Sequence, residues 1–171
     1  MNKKIKVCFL DRDGVINVDK GHIINNKQIF ILPKVFELIK IVKQKNYIIT
    51  VVTNQSVIGR KILTVKKLNE IHKYINIKLK NKNCAIDYFF FCPHHPKYGK
   101  GKFKIFCNCR KPEPGMIKSF ITKFNIDKKN SFMIGDKLSD FKAAKKSNIK
   151  FFFGLRDLSF KNLKNFINNK L

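Results

Sequence analysis

Four clusters of polar residues carry types that could act together on a phosphate. They are Asp11-Arg12-Asp13-Gly14, Thr53-Asn54-Gln55-Ser56, Arg110-Lys111, and Gly135-Asp136-Lys137 with Asp140 close behind. A phosphate monoester dianion repels nucleophiles, so its uncatalysed hydrolysis is among the slowest reactions known. Carboxylates that hold magnesium beside the phosphate cancel that repulsion. In such chemistry Asp11 is the candidate nucleophile. Asp13 is the candidate acid that protonates the leaving oxygen and later activates water. Gly14 permits a tight turn. Asp136 completes the metal site with Asp140 in support, Thr53 and Asn54 offer a hydroxyl and an amide to the phosphate oxygens, and Lys111 adds positive charge where the transition state is most negative. Taken singly, each cluster is an ordinary solvated turn or cap. Their joint occurrence, three just after expected strands and Arg110-Lys111 at the end of the loop that follows another, is what marks them.

A second constellation is sulfur-rich. Cys92, Cys107 and Cys109 fall near His94 and His95. Three thiolates and one imidazole make a closed tetrahedral set of the kind that holds structural zinc, and spacing alone leaves the choice of histidine open. Five cysteines is an odd number, and Cys8 sits inside an apolar run, which argues against a secreted disulfide framework. Structural zinc contributes ~10–16 kcal/mol of apparent binding energy, comparable to a whole domain's stability of ~5–15 kcal/mol. Loss of zinc is therefore expected to melt at least this loop.

The elements that must position these groups alternate. Strands are expected over Ile5 to Leu10, Tyr47 to Val52, Ile86 to Phe91, Ser131 to Ile134 and Ile149 to Phe153. Between them, helical spacing runs from Lys34 to Lys45 (Val35, Leu38, Ile39, Val42) and from Thr64 onward (Leu68, Ile71, Ile75, Leu79). Further helices are expected over Pro114 to Phe124, Ser139 to Lys146 and Phe160 to Ile167. Strands that are apolar without alternation indicate a parallel α/β sheet covered on both faces. In such sheets ligands bind beyond the carboxyl ends of the strands, where the four polar clusters converge. Residues 92–109, rich in Pro, Gly, Lys and Cys, interrupt the rhythm as a long loop that a metal would order.

With 171 residues, 44% hydrophobic and 28% charged, the chain reads as one globular domain, residues 1–171. No apolar run reaches the ~20 residues of a membrane span. The basic start lacks a normal apolar h-region, because its apolar stretch ends at Asp11, so a cytoplasmic location is expected. The net charge of +26 would attract phosphates and nucleic acids. Its lysines are scattered along the whole chain, which fits compositional drift rather than a dedicated binding face. A nucleic-acid binder also leaves Asp11, Asp13 and Asp136 without a purpose, so no specific nucleic-acid partner is expected.

Asp11-Arg-Asp-Gly-Val-Ile-Asn17, Thr53-Asn-Gln-Ser56, Arg110-Lys111-Pro112 and Gly135-Asp136-Lys137 resemble the four signature motifs of the haloacid dehalogenase superfamily of phosphatases. The resemblance runs from Ile5 to about Phe153. Its most specific parts are Cys92-Pro-His-His-Pro96 and Cys107-Asn-Cys-Arg-Lys-Pro-Glu-Pro-Gly-Met116. It implies a Rossmann-like three-layer fold with a central parallel sheet, a zinc-binding loop and no large cap domain. Asp11 is implied as nucleophile and Asp13 as acid/base. Magnesium is implied at Asp11, Asp136 and the backbone carbonyl of Asp13. Substrate contacts are implied at Asp19, Lys20, Gly21, His22, Thr53, Asn54, Gln55, Ser56, Arg110, Lys111 and Lys137. Zinc is implied at Cys92, His94, Cys107 and Cys109. The implied partner is a small sugar bisphosphate met by a monomer. Lys137 and the Pro-Glu-Pro-Gly-Met run favour that class over histidinol phosphate. Three positions depart from the pattern: His22 stands where an aromatic is usual, and Val57 and Lys61 replace small residues.

Overall fold

The computed structural model describes residues 4–168. Five strands, β1 (Lys6–Leu10), β2 (Tyr47–Asn54), β3 (Tyr88–Cys92), β4 (Phe132–Gly135) and β5 (Lys150–Phe153), form one parallel sheet in the order β3-β2-β1-β4-β5. β1 shows why its run is apolar without alternation: Val7, Cys8, Phe9 and Leu10 are all fully buried. Cys8 and Leu10 face one core and Val7 and Phe9 the other.

Helices cover both faces. α1 (Pro33–Gln44), α3 (Val65–Lys80) and α6 (Asp157–Asn168) supply Leu38, Ile71 and Leu163 to the first core. α4 (Gly115–Lys123) and α5 (Leu138–Lys146) supply Phe120 and Ala143 to the second. Thr64 caps α3 by accepting from the Lys67 amide at 3.2 Å. The expected α/β architecture is present, with shifted edges. β2 runs on to Asn54, β3 starts and ends later than its apolar run suggested, and α6 is longer than expected. A short helix, α2 (Ser56–Gly59), stands where a plain loop was expected. No helix among the described residues is long and apolar enough to cross a membrane.

The sheet order reverses at β1, which has β2 on one side and β4 on the other. Such a switch point opens a crevice beyond the strands' carboxyl ends. Asp11 leaves β1 there, and its amide donates to the Ile134 carbonyl of β4 at 2.9 Å.

Candidate active site

At that crevice lies a cavity of about 270 Å³ lined by Asp11, Asp13, Thr53, Asn54, Arg110, Lys111, Lys137, Ser139 and Asp140. Its centre is a buried ion triad. Lys111 Nζ reaches Asp11 Oδ1 at 2.8 Å and Asp140 Oδ1 at 2.6 Å, and all three residues are at most 5% exposed. Burial alone would lower the Lys111 pKa, but Asp11 and Asp140 outweigh it and hold the ammonium above its usual value. Asp11 is pushed up to about 6, chiefly by burial, with Lys111 opposing. Asp140 also closes α5: its Oδ2 accepts from the Lys137 amide at 3.1 Å, a capping contact at a helix start.

Asp136 leaves β4 and lies against Gly14, whose φ is +85°. A Cβ at position 14 would sit on the Asp136 carboxylate, so the tight turn and the close approach both require glycine. Burial raises the Asp136 pKa, helped by Asp140. One carboxylate oxygen from each of Asp11, Asp136 and Asp140 lies within 4.8 Å of the others. Three carboxylates at that spacing, two of them raised in pKa, are a donor set for a hard divalent cation.

Asp13 is gripped from all sides. Arg12 donates from Nε to Oδ1 at 3.1 Å and from its second terminal nitrogen to Oδ2 at 2.8 Å. Asn17 Nδ2 donates to Oδ1 at 2.9 Å and Gln55 Nε2 to Oδ2 at 3.0 Å. Gln55, expected to meet substrate, is buried and spends its amide on Asp13 and on Thr53 Oγ1, 3.0 Å away. Asn54 is tied to its neighbours as well. Its side chain forms a two-way pair with the Lys111 backbone, donating to the carbonyl at 2.9 Å and accepting from the amide at 3.0 Å. That pair orients Lys111, while Asn54 also lines the cavity and the second hydrogen of its Nδ2 is not spent on the pair.

The other expected contacts divide. Lys137 Nζ pairs with Asp19 Oδ2 at 2.7 Å, bringing the 18–22 loop to the cleft mouth. Lys20 lies over the Phe30 ring at 4.0 Å, and the exposed Gly21 and His22 are outside the cavity lining. Ser56 opens α2, partly buried. Arg110 donates to the His94 carbonyl at 3.0 Å.

That last contact ties the cleft to the cysteine loop. The Cys92, Cys107 and Cys109 sulfurs stand 3.0 to 3.5 Å apart, and His94 Nδ1 lies 3.3 Å from Cys109 and 3.6 Å from Cys92. The cysteines are free. Around a metal with sulfur bonds of ~2.3 Å, tetrahedral ligands sit ~3.8 Å apart, close to this cluster. Burial and the Cys109 thiol push Cys92 well above the ordinary thiol range. His95 points elsewhere, accepting from the Lys97 and Tyr98 amides at 3.2 and 3.1 Å. The loop packs on α2 through Gly59, where a Cβ would strike the Pro93 carbonyl. Lys61, just after α2, has φ +61°, a conformation that suits glycine and strains lysine.

Three participants escaped the sequence reading: Arg12, Asn17 and His72. Arg12 and Asn17 lay inside a recognised motif without an assigned task. His72 lay on the apolar stripe of α3, one residue after Ile71, which was the available signal.

The family model described as polynucleotide kinase 3 phosphatase matches residues 6–162. A D-glycero-beta-D-manno-heptose-1,7-bisphosphate 7-phosphatase of Salmonella typhi is 36% identical over 149 residues, covering 87% of this chain and 79% of the relative. The crystal structure of a D,D-heptose 1,7-bisphosphate phosphatase from B. bronchiseptica, complexed with magnesium and phosphate, is 29% identical with a TM-score of 0.78, covering 93% of this chain and 86% of the other. A HAD-like phosphatase from Mesorhizobium loti is 26% identical with a TM-score of 0.91, covering 97% and 87%.

Proposed function

This chain belongs to the polynucleotide kinase 3 phosphatase family, and we propose that it removes the 7-phosphate of D-glycero-beta-D-manno-heptose 1,7-bisphosphate through a phosphoryl group carried on Asp11. The observation that carries the reading is the buried Asp11–Lys111–Asp140 triad beside Asp136 at the sheet's switch point. The named relatives supply the substrate.

Asp11 forms the new bond to phosphorus as the bond to the sugar's O7 breaks. Asp13 gives the departing oxygen its proton. Lys111, fixed between two carboxylates and the Asn54 side chain, offers charge to the phosphoryl oxygens. The Thr53 hydroxyl accepts from Gln55, which leaves its own proton to donate to a phosphate oxygen. Asp13 then takes a proton from the water that attacks the aspartyl phosphate, releasing inorganic phosphate and restoring Asp11. Asp11, Asp136 and the Asp13 carbonyl would hold magnesium, with Asp140 adjoining. When bound, the ion cancels the repulsion between the phosphate dianion and the attacking carboxylate.

Cys92, His94, Cys107 and Cys109 would hold a structural zinc, whose task is to aim Arg110 at the substrate. The enzyme would act as a cytoplasmic monomer on a small sugar, in lipopolysaccharide-core heptose synthesis. Phosphate release from the heptose bisphosphate and from histidinol phosphate, measured side by side with magnesium, tests the assignment. Strong preference for the bisphosphate supports it. Preference for histidinol phosphate overturns the substrate and keeps the chemistry.

A further inference from the structure

Arg12 is fully buried and heads the wholly enclosed side chains by volume. A cation in that position persists only when paired and hydrogen-bonded. Its fork grips both oxygens of Asp13, at 3.1 and 2.8 Å. Its remaining terminal nitrogen faces His72 Nε2 at 3.5 Å, a long contact at the limit of a hydrogen bond. His72 is 4% exposed and its ring stacks on Phe89 of β3, with centroids 4.6 Å apart and planes 17° apart. Burial, helped by Arg12, pulls its pKa down to about 3, so the imidazole facing the guanidinium is neutral and able to accept. The chain of contacts thus runs from α3 through Arg12 to Asp13.

We propose that His72 is a positioning residue that acts through Arg12 to set the direction of the Asp13 carboxylate. A guanidinium is planar and its fork is rigid, so a rotation of Arg12 moves both oxygens of Asp13 together. His72 resists that rotation from the far end. Without its acceptor, a buried N–H loses its partner, and Arg12 relieves the loss by turning and carrying Asp13 with it. Asn17 and Gln55 hold the same two oxygens, so the effect is a misdirection of Asp13, not its release. The inference rests on the proposed acid/base role of Asp13.

His72→Phe keeps an aromatic ring on Phe89 and removes the acceptor, whereas His72→Gln keeps an acceptor. The quantity to compare is kcat/KM, which covers only steps up to departure of the leaving group. For heptose bisphosphate, whose sugar oxygen needs a proton, His72→Phe should lower kcat/KM ~10-fold, a fraction of the ~10²–10⁴ that general acids contribute. For p-nitrophenyl phosphate, whose leaving group departs as the anion, the change should stay within ~2-fold. His72→Gln should recover most of the sugar-phosphate rate. A parallel loss on both substrates, no loss on either, or a failure of His72→Gln to recover the rate would each overturn the proposal. Asp13→Asn separates the two readings. A larger loss on the sugar phosphate than on the aryl phosphate upholds Asp13 as acid and leaves His72 to be judged alone, while an equal loss overturns the role of Asp13 and the inference built on it.

Discussion

The carboxylate cleft and the cysteine loop lie side by side, tied by the Arg110–His94 contact, yet different forces order them. The cleft stands on the sheet. Asp11 and Asp136 leave adjacent strands, and Lys111 is buried between Asp11 and Asp140. Its geometry is complete in the protein's own contacts. The loop has little core of its own: Phe106 is 92% exposed and Ile105 42%. Its centre is instead three sulfurs and an imidazole gathered within van der Waals distance of one another. On the proposed reading the fold places the chemistry, and a zinc in the loop would place Arg110 beside it. Removal of magnesium should therefore stop turnover without loosening the structure, whereas removal of zinc should loosen the structure first.

The sharpest way to break this contrast is to strike the cleft. Asp11→Asn should abolish turnover by on the order of 10⁴-fold or more while the far-ultraviolet spectrum stays unchanged. Appreciable residual activity would remove Asp11 as nucleophile. Lys111→Met tests whether the cleft is self-supporting. Losing one member of a buried ion network costs roughly 3–5 kcal/mol, read as a fall in unfolding free energy in magnesium-free denaturant titrations. A negligible change would mean that the triad contributes nothing to the fold.

On the loop, Cys107→Ser should release zinc, measured by metal analysis, and lower kcat/KM by ~10–100-fold, a loss of the size that ångström-scale misplacement produces. The fall should lie mainly in KM. Lys111 keeps its Asn54, Asp11 and Asp140 partners, while Arg110 loses the loop that aims it. Unchanged metal content would rule out the ligand set. The smallest effect sits just after α2, on which the loop packs. Lys61→Gly removes a left-handed lysine whose strain is ~1–2 kcal/mol, offset by ~1 kcal/mol or less of added unfolded-state freedom. A gain of up to ~1 kcal/mol in denaturant stability is expected, and a loss would mean that the lysine is held there by contacts worth more than its strain.

The contrast also explains what could be read from the sequence. β1 announces itself because Val7 to Leu10 are buried on both faces, and the clusters at the carboxyl ends of β1, β2 and β4 are placed by strand order alone. The gathering of Cys92, Cys107 and Cys109 with a histidine is legible because metal ligands need particular atoms at short spacing, while the choice of His94 over His95 rested on the family resemblance. Side-chain direction is another matter. Asn54 turning to the Lys111 backbone, 57 positions away, and Arg12 meeting His72, 60 away, depend on helix and strand packing that no local pattern encodes. α2 was missed because four residues carry too little periodicity to register, and its glycine serves contact with the loop.

The most direct test of the account is to trap the phosphoryl group. The enzyme is mixed with heptose bisphosphate and magnesium, quenched in acid within the first turnover, digested, and its peptides weighed. One phosphoryl mass on the peptide bearing Asp11, absent from Asp11→Asn, is the predicted result. An unmodified Asp11 peptide under conditions of full turnover, or a phosphoryl group on another residue, would contradict it.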